Sequence, residues 1–364
     1  MKKYVILFAS LFAVCSCGGN NNYSFERIWE DTTIYNEPCV MIEHEDGYYG
    51  ELLYEPTKIV EVKNYTQEKT YASSEYKLEG RRLYKTTESS FPFLSKANIS
   101  CVDVPENIGE TYPDGKGGNI LFTEDTGLVS YQVLVTYKHK DKWYGSIPQK
   151  RGNELPALQE KLNSKQTLTY VTYGDSIFAG CNASGMLDIS PHQDIFPLAF
   201  KKALENKYNL QVNYYNEAVP RTTSSWGAEN VNNLCTKYHP DLAVIGFGMN
   251  DSTTQVSGEE YYANMKQIVD SIKEDKNDCG IILCATIYAN PDTAFNNKQE
   301  EYLSLLNQLA CQYENVTVLD MTTFSKDLLK YKSSFELYAN NINHPNDFLS
   351  RCYVSNLLNV IEMV

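Results

Sequence analysis

A serine hydroxyl becomes a nucleophile only when a neighbouring base takes its proton, and an imidazole titrating near neutrality suits that task. The sequence places such residues in two suggestive settings. Ser176 closes Tyr173-Gly174-Asp175-Ser176 after an apolar run, and His344 stands in Asn341-Ile342-Asn343-His344-Pro345-Asn346 just ahead of a helical pattern. Two more polar segments follow apolar runs: Asn216-Glu217-Ala218-Val219-Pro220-Arg221-Thr222 and Gly248-Met249-Asn250-Asp251. Acyl transfer to Ser176 would develop an oxyanion. Fixed N–H donors must meet that charge, and losing one such donor costs roughly 10²- to 10³-fold in rate. Taken alone, Gly-Asp-Ser after a strand is often only a turn. Among the other histidines, His44 and His139 fall in charged loops or strand edges of the N-terminal half, and His239 precedes an apolar run. Only His192, 16 positions after Ser176, competes with His344 as base. The Arg221 side chain is either a substrate contact or simply solvated, Asp175 is expected to bond nearby backbone, and Trp226 and Phe178 are expected to pack or line the cleft.

The elements that must position these residues are legible as patterns. Five apolar runs, Thr167–Tyr173, Gln211–Tyr215, Asp241–Phe247, Gly280–Ile287 and Asn315–Leu319, alternate with helical periodicity. That alternation implies a parallel sheet, whose ligands bind at the carboxyl ends of the strands. Ser257 with Glu260 reads as a capping box ahead of Tyr262, Met265, Ile268, Val269 and Ile272. Tyr302, Leu305, Leu306 and Leu309 form one stripe, and a last helix begins near Asn346 with Phe348, Leu349, Cys352, Tyr353, Leu357 and Ile361 inward. From Tyr23 to about Gln149 the pattern is short Tyr-, Val-, Ile- and Thr-rich runs broken by turns such as Asp46-Gly47, Glu79-Gly80 and the Pro113–Gly118 segment, which reads as an all-β sandwich, jelly-roll-like. Gly115-Lys116-Gly117-Gly118 is not a phosphate loop, since no Ser or Thr follows the lysine and no helical pattern follows the loop. The expected division is a signal at 1–17, a β-sandwich domain at 18–160 and an α/β domain at 161–364, with two cores.

Composition limits the partners. With 46 acidic and 32 basic residues the formal charge is −14, which repels phosphate backbones and anionic lipid surfaces and makes nucleic acid an unfit partner. Met1-Lys2-Lys3, an apolar run from Tyr4 to Val14 and then Cys15-Ser16-Cys17-Gly18-Gly19 resemble a bacterial lipoprotein signal, with Cys17 as the lipidated residue. The alternative is an ordinary cleaved secretory signal. Either exports the protein to the cell envelope, periplasmic or surface-exposed, with membrane attachment by lipid alone. Eight cysteines follow the leader, at 39, 101, 181, 235, 279, 284, 311 and 352. Cys284, Cys311 and Cys352 fall on apolar faces and are expected as buried thiols, whereas Cys39 with Cys101 is the more plausible bridge in an oxidising compartment. No cysteine or histidine spacing suits zinc, so no metal is expected.

The four polar segments, in this order and spread over about the last 200 residues, resemble the four sequence blocks of the SGNH (GDSL-type) hydrolases. The resemblance implies a flavodoxin-like three-layer α/β/α fold with a five-stranded parallel sheet, ester hydrolysis through an acyl-enzyme, and no cofactor. Ser176 matches the block I serine, Asn250 the block III asparagine and His344 the block V histidine, while the block II glycine position falls on Arg221; the resemblance implies an oxyanion hole made by the backbone N–H of Ser176, the backbone N–H of Arg221 and the side-chain amide of Asn250. The family often places Asp three residues before the histidine, and here that position is Asn341. An Asn carbonyl can accept the Nδ1 proton and orient the ring, but it cannot neutralise an imidazolium. Three arrangements stand open: a Ser-His dyad, a Ser-His-Asn arrangement, or an acid from elsewhere such as Asp251 or Asp347. Export, the β-domain and the lack of a long apolar insertion point to small acyl esters, above all acetyl, on a glycan. The alternatives are a lipase- or thioesterase-like acylhydrolase for longer chains, and a non-catalytic glycan-binding scaffold.

Overall fold

The computed structural model describes residues 25–364, so the leader and Cys17 lie outside the described residues. Five strands, Leu168–Gly174, Val212–Asn216, Leu242–Gly246, Gly280–Ala285 and Val316–Asp320, form one parallel sheet in the order second, first, third, fourth, fifth. The third and fourth strands are buried along their whole length, as strands covered on both faces must be. Their side chains divide by the two-residue period of a strand. Val171, Tyr173, Ala243, Ile245, Ile281 and Leu283 join one apolar cluster, and Tyr170, Leu242, Val244, Ile282 and Cys284 join another on the opposite face.

Helices Ser224–Leu234, Gly258–Asp275 and Gln299–Ala310 bury their apolar stripes in the first cluster. Helices Phe196–Tyr208 and Asp347–Val360 bury theirs in the second, where Phe196 and Tyr353 stack with ring centroids 4.4 Å apart. Helix Gly258–Asp275 starts with one half of the expected capping box, Ser257 Oγ accepting the Glu260 N–H at 3.1 Å, with Glu259 and Glu260 in the first turn where the helix dipole favours negative charge. Tyr261 rather than Tyr262 is the aromatic buried beside Met265 and Ile268; Tyr262 is only partly covered. The second stripe has Tyr302, Leu306 and Leu309 buried, with Leu305 packed at its margin.

Residues ahead of this domain build three small antiparallel sheets. One is three-stranded, with Gln132–Lys138 between Thr33–Val40 and Lys58–Asn64. A second orders Ile42–His44, Gly47–Glu51, Arg82–Lys85 and Tyr76–Glu79, and a hairpin pairs Glu110–Pro113 with Asn119–Phe122. The hairpin turn needs positive φ at Gly115 and Gly117, and Asp114 Oδ1 closes it by accepting the N–H groups of Lys116 at 2.7 Å and Gly118 at 2.8 Å.

The chain length suggests two cores, yet the largest apolar cluster crosses residue 160. It joins Ile34, Val62, Val133 and Tyr137 of the antiparallel region to Phe200, Phe324, Leu349 and Tyr353 of the α/β region. The sheet face carrying Ile34 and Val133 packs where the last helices leave apolar surface uncovered. A buried ion cluster ties the same seam: Lys332 Nζ lies 2.7 Å from Glu37 and 3.4 Å from Glu336, all three side chains almost wholly excluded from solvent. Glu37 also accepts from Tyr137 Oη at 2.6 Å and from the Leu53 N–H at 2.7 Å.

All eight described cysteines are free thiols, so the expected Cys39–Cys101 bridge does not form. Cys39 is sealed in the core of strand Thr33–Val40 against Gly50, whereas Cys101 is half-buried elsewhere with its thiol directed to the Asn119 carbonyl at 3.4 Å. Cys284 and Cys352 are buried as expected, but Cys311 is exposed because it follows the last turn of helix Gln299–Ala310 on its solvent side.

Candidate active site

Ser176 is placed by a strand that ends where it must turn sharply. Gly174 and Gly246, side by side on neighbouring strands, leave room for the Phe178 ring; a Cβ on either glycine would collide with it. Phe178 is thus a packing residue, buried edge-on against Phe196. Asp175 caps the short helix Ser176–Ala179, accepting the Ile177 N–H at 3.0 Å, which leaves Ser176 as its first residue. The Asp175 carboxyl is fully buried with Oδ2 unpartnered, and desolvation pushes its pKa up to about 7.

His344 is held by a loop built around Asn340. The Asn340 Oδ1 accepts the backbone N–H groups of Ile342, Asn343 and His344, each at 3.0 Å, and the Ala339 N–H donates to the His344 carbonyl at 2.8 Å. Asn346 then caps the last helix by accepting the Leu349 N–H at 3.0 Å, fixing the point from which the loop returns. The result is that His344 Nε2 sits 3.0 Å from Ser176 Oγ across 168 positions of sequence. Both residues are buried, Ser176 being only 6% exposed.

The other ring nitrogen contacts neither Asn341 nor any aspartate. Its partner is Asn182, whose Oδ1 lies 2.5 Å from Nδ1. An amide oxygen there requires Nδ1 to carry the hydrogen, so Nε2 presents its lone pair to the serine hydroxyl, the tautomer a general base needs. Asn182 reaches the ring from a residue with φ of +63°, just past the left-handed Gly180 that ends the serine's helix.

The role expected for Asn341 is therefore corrected. Its own φ of +62° turns the side chain away from the ring. Its Oδ1 accepts from Ser334 Oγ at 2.6 Å, and its Nδ2 donates to the Leu121 carbonyl at 2.8 Å, so that it fastens the loop to the antiparallel hairpin. Neither aspartate offered as an acid touches His344. Asp251 accepts the Ser224 N–H at 2.9 Å and positions helix Ser224–Leu234, and Asp347 accepts the Ser184 N–H at 3.1 Å. Among the described residues, the one carboxylate within 4.0 Å of the ring is Glu124, with Oε2 3.9 Å from Nδ1.

Asn250 stands in the turn of helix after the third strand, and one of its Nδ2 hydrogens goes to the Thr222 carbonyl at 2.9 Å. This bond ties the third-strand segment to the second-strand segment carrying Arg221, whose backbone is left-handed with φ of +69°. The Arg221 side chain is exposed, and its charge acts on His344. Burial first, and Arg221 second, hold the imidazole well below its ordinary value, at about 4, so the ring is neutral and able to accept a proton at pH 7. His192 lies elsewhere, paired with Asp188 at 3.3 Å on an exposed surface; His239 pairs with Asp275 at 2.8 Å, and His44 and His139 stack on Tyr49 and Tyr54. Trp226 packs on Tyr173 at 6.0 Å.

Sequence reasoning missed Asn182, Asn340 and Glu124. Asn182 carries a weak signal, standing with Gly180 in a segment of residues that tolerate positive φ. Asn340 and Glu124 carry none, because their partners are set by how loops meet in space.

The sequence model of the GDSL-like lipase/acylhydrolase family matches residues 172–348, a span that includes Ser176, Arg221, Asn250 and His344. No curated protein matches the chain. Among solved structures, the chain is similar to a two-domain esterase active on acetylated mannans, co-crystallised with mannopentaose, at 15% identity and a TM-score of 0.46, covering 59% of this chain and 54% of that one. This chain thus spans about half the length of that esterase. It is also similar to a variant of an acetyl xylan esterase from Geobacillus stearothermophilus (19% identity, TM-score 0.44, 54% of this chain and 97% of that one). A third is a lipase/acylhydrolase from Enterococcus faecalis (19% identity, TM-score 0.42, 52% and 93%).

Proposed function

Because residues 172–348 form a domain of the GDSL-like lipase/acylhydrolase family, we propose that the protein is a serine esterase that removes small acyl groups, acetyl above all, from an acylated glycan. The observation that carries this reading is the 3.0 Å approach of His344 Nε2 to Ser176 Oγ, with the Asn182 oxygen on Nδ1. In the reaction, Ser176 Oγ attacks the ester carbonyl carbon while its proton passes to His344 Nε2. The tetrahedral oxyanion is met by the N–H of Ser176, the N–H of Arg221 and the second Nδ2 hydrogen of Asn250. Collapse breaks the bond to the sugar oxygen, which leaves with the proton from Nε2. Water then repeats the sequence on the acyl-enzyme, releasing the acid and restoring Ser176.

A small acyl group suits the surroundings of Ser176. Each methylene of a longer chain adds about 0.8 kcal/mol only when it is buried against apolar walls, and the side chains that act on the histidine are the polar Asn182, Glu124 and Arg221. The excess of acidic residues, 46 against 32, suits a neutral glycan better than an anionic lipid surface. The Cys17 leader supports export as a cell-envelope lipoprotein; labelling with radioactive palmitate, lost in Cys17→Ser, tests that separately.

The test of the activity is acetate release from a panel of acetylated glycans, with Ser176→Ala as control and 4-nitrophenyl acetate compared with the octanoate. Acetate release that vanishes in Ser176→Ala supports the reading. A preference for octanoate, or equal rates in the variant, rejects it.

A further inference from the structure

The proposed reaction makes His344 an imidazolium in a place that resists one. The ring is buried, and the positive charge of Arg221 acts against protonation. Asn182 fixes the tautomer but brings no net charge. The titratable groups on the elements around the ring are Glu124, Arg221, Asp175, Cys181 and Asp347. Asp175 and Asp347 accept the Ile177 and Ser184 N–H groups and, among the described residues, neither comes within 4.0 Å of a ring nitrogen, while burial pushes the Cys181 thiol up to about 11, so it is neutral. That leaves Glu124, with its oxygen 3.9 Å from Nδ1 and its side chain 54% exposed.

Glu124 does not come from the hydrolase sheet. It follows hairpin strand Asn119–Phe122 in the antiparallel region, and two sets of contacts set its position. Upstream, the Asn341 Nδ2 grips the Leu121 carbonyl at 2.8 Å, from the same loop that carries His344. Downstream, Asp125 Oδ1 accepts from Thr123 Oγ1 at 2.5 Å and from the Gly127 N–H at 2.7 Å, closing a turn around Glu124. Its backbone is thus tied to the histidine loop while its carboxylate remains free to turn.

We propose that Glu124, supplied by the N-terminal β-region, is the carboxylate that compensates the His344 imidazolium during acyl transfer, so that the β-region completes the active site rather than only bracing it. The inference rests on the esterase reading above. The proton still travels from Ser176 Oγ to Nε2; Nδ1 keeps its own hydrogen, and Glu124, whose carboxyl burial raises above its ordinary value, takes no proton from the ring in the step. Glu124 acts through His344 and is a positioning residue by charge. An opposite charge about 4 to 6 Å away favours the charged form by about one to three pKa units when shielded from solvent, and the half-exposed carboxylate places the effect at the lower end.

The experiment is kcat and KM for 4-nitrophenyl acetate across pH 4 to 9, with quenched product detection, in the wild type, Glu124→Gln, Glu124→Asp and Ser176→Ala. Glu124→Gln is expected to lower kcat about tenfold with KM changed less than threefold. In the wild type kcat should fall as Glu124 takes up a proton, above the ordinary carboxylate range because burial raises its pKa, and Glu124→Gln should lose that limb. Glu124→Asp should recover part of both. A Glu124→Gln enzyme within twofold of wild type with an unmoved limb overturns the inference while leaving the esterase reading intact. A rise in KM alone overturns it in favour of a substrate contact. Wild-type activity no higher than that of Ser176→Ala defeats the esterase reading, and this inference falls with it.

Discussion

Replacing Asn182 by alanine isolates the interaction that the histidine makes on the side away from the serine. Asn182 Oδ1 lies 2.5 Å from His344 Nδ1 in a buried site, and the bond strengthens when the ring becomes charged. A hydrogen bond to a charged group contributes about 1.5–3 kcal/mol net, which at about 1.4 kcal/mol per decade corresponds to roughly 10- to 100-fold in rate. The loss should fall on kcat, with KM within about threefold, because the bond matters most at the transition state. Global stability should change little, since Asn182 Nδ2 is buried without a partner and its removal offsets part of the lost bond. Asn182→Asp supplies the opposite perturbation. A carboxylate at that position would favour the imidazolium, so the low-pH limb of kcat/KM should move upward from near the ring's value of about 4. Steady-state kinetics on 4-nitrophenyl acetate over pH 4 to 9, beside urea denaturation of each variant, provides both readouts. A folded Asn182→Ala enzyme with wild-type kcat, or an Asn182→Asp enzyme with an unmoved limb, would show that this contact does not orient the base.

Three further outcomes are expected. Asn341→Asp, which a reading by position alone would choose to repair the site, should instead destabilise the fold by about 2 kcal/mol, because it sets a carboxylate oxygen against the Leu121 carbonyl; a gain in kcat with unchanged urea midpoint would contradict this. Lys332→Met leaves Glu37 and Glu336 buried without their cation and should cost about 3–5 kcal/mol in urea titration. The depressed His344 value, about 4 against an ordinary 6.5, means the unfolded chain takes the proton first as pH falls. Its stabilising contribution is complete above pH 6.5 and declines toward pH 4, by about 3 kcal/mol in total. Wild type should lose that much more than His344→Gln across this window, and parallel stability curves would refute the assignment.

Much of the architecture follows from local rules. Buried parallel strands must be apolar along their length, so the runs around Val171, Val244 and Ile282 announce the sheet, and each strand lies within a residue or two of its expected position. Helix Gly258–Asp275 begins at Ser257 because capping is decided within one turn. The phase of its buried stripe was less legible: Tyr261 and Tyr262 are adjacent, and only the angle at which the helix meets the sheet selects between them.

The sequence by itself thus determined which chemistry is available and on which strand ends it stands: a serine after the first parallel strand, an asparagine after the third and a histidine ahead of the last helix. These follow from periodicity and turn chemistry, which act over a few residues. Only the tertiary structure decided who partners the histidine. Asn341 lies three residues from His344 but faces the hairpin, while Asn182 lies 162 residues away and makes the contact. The same holds for Glu124, for the free thiols of Cys39 and Cys101 and for the core that crosses between the two regions. A hydrogen bond or an ion pair depends on separation and direction in space, and once loops pack against one another these bear no fixed relation to separation along the chain.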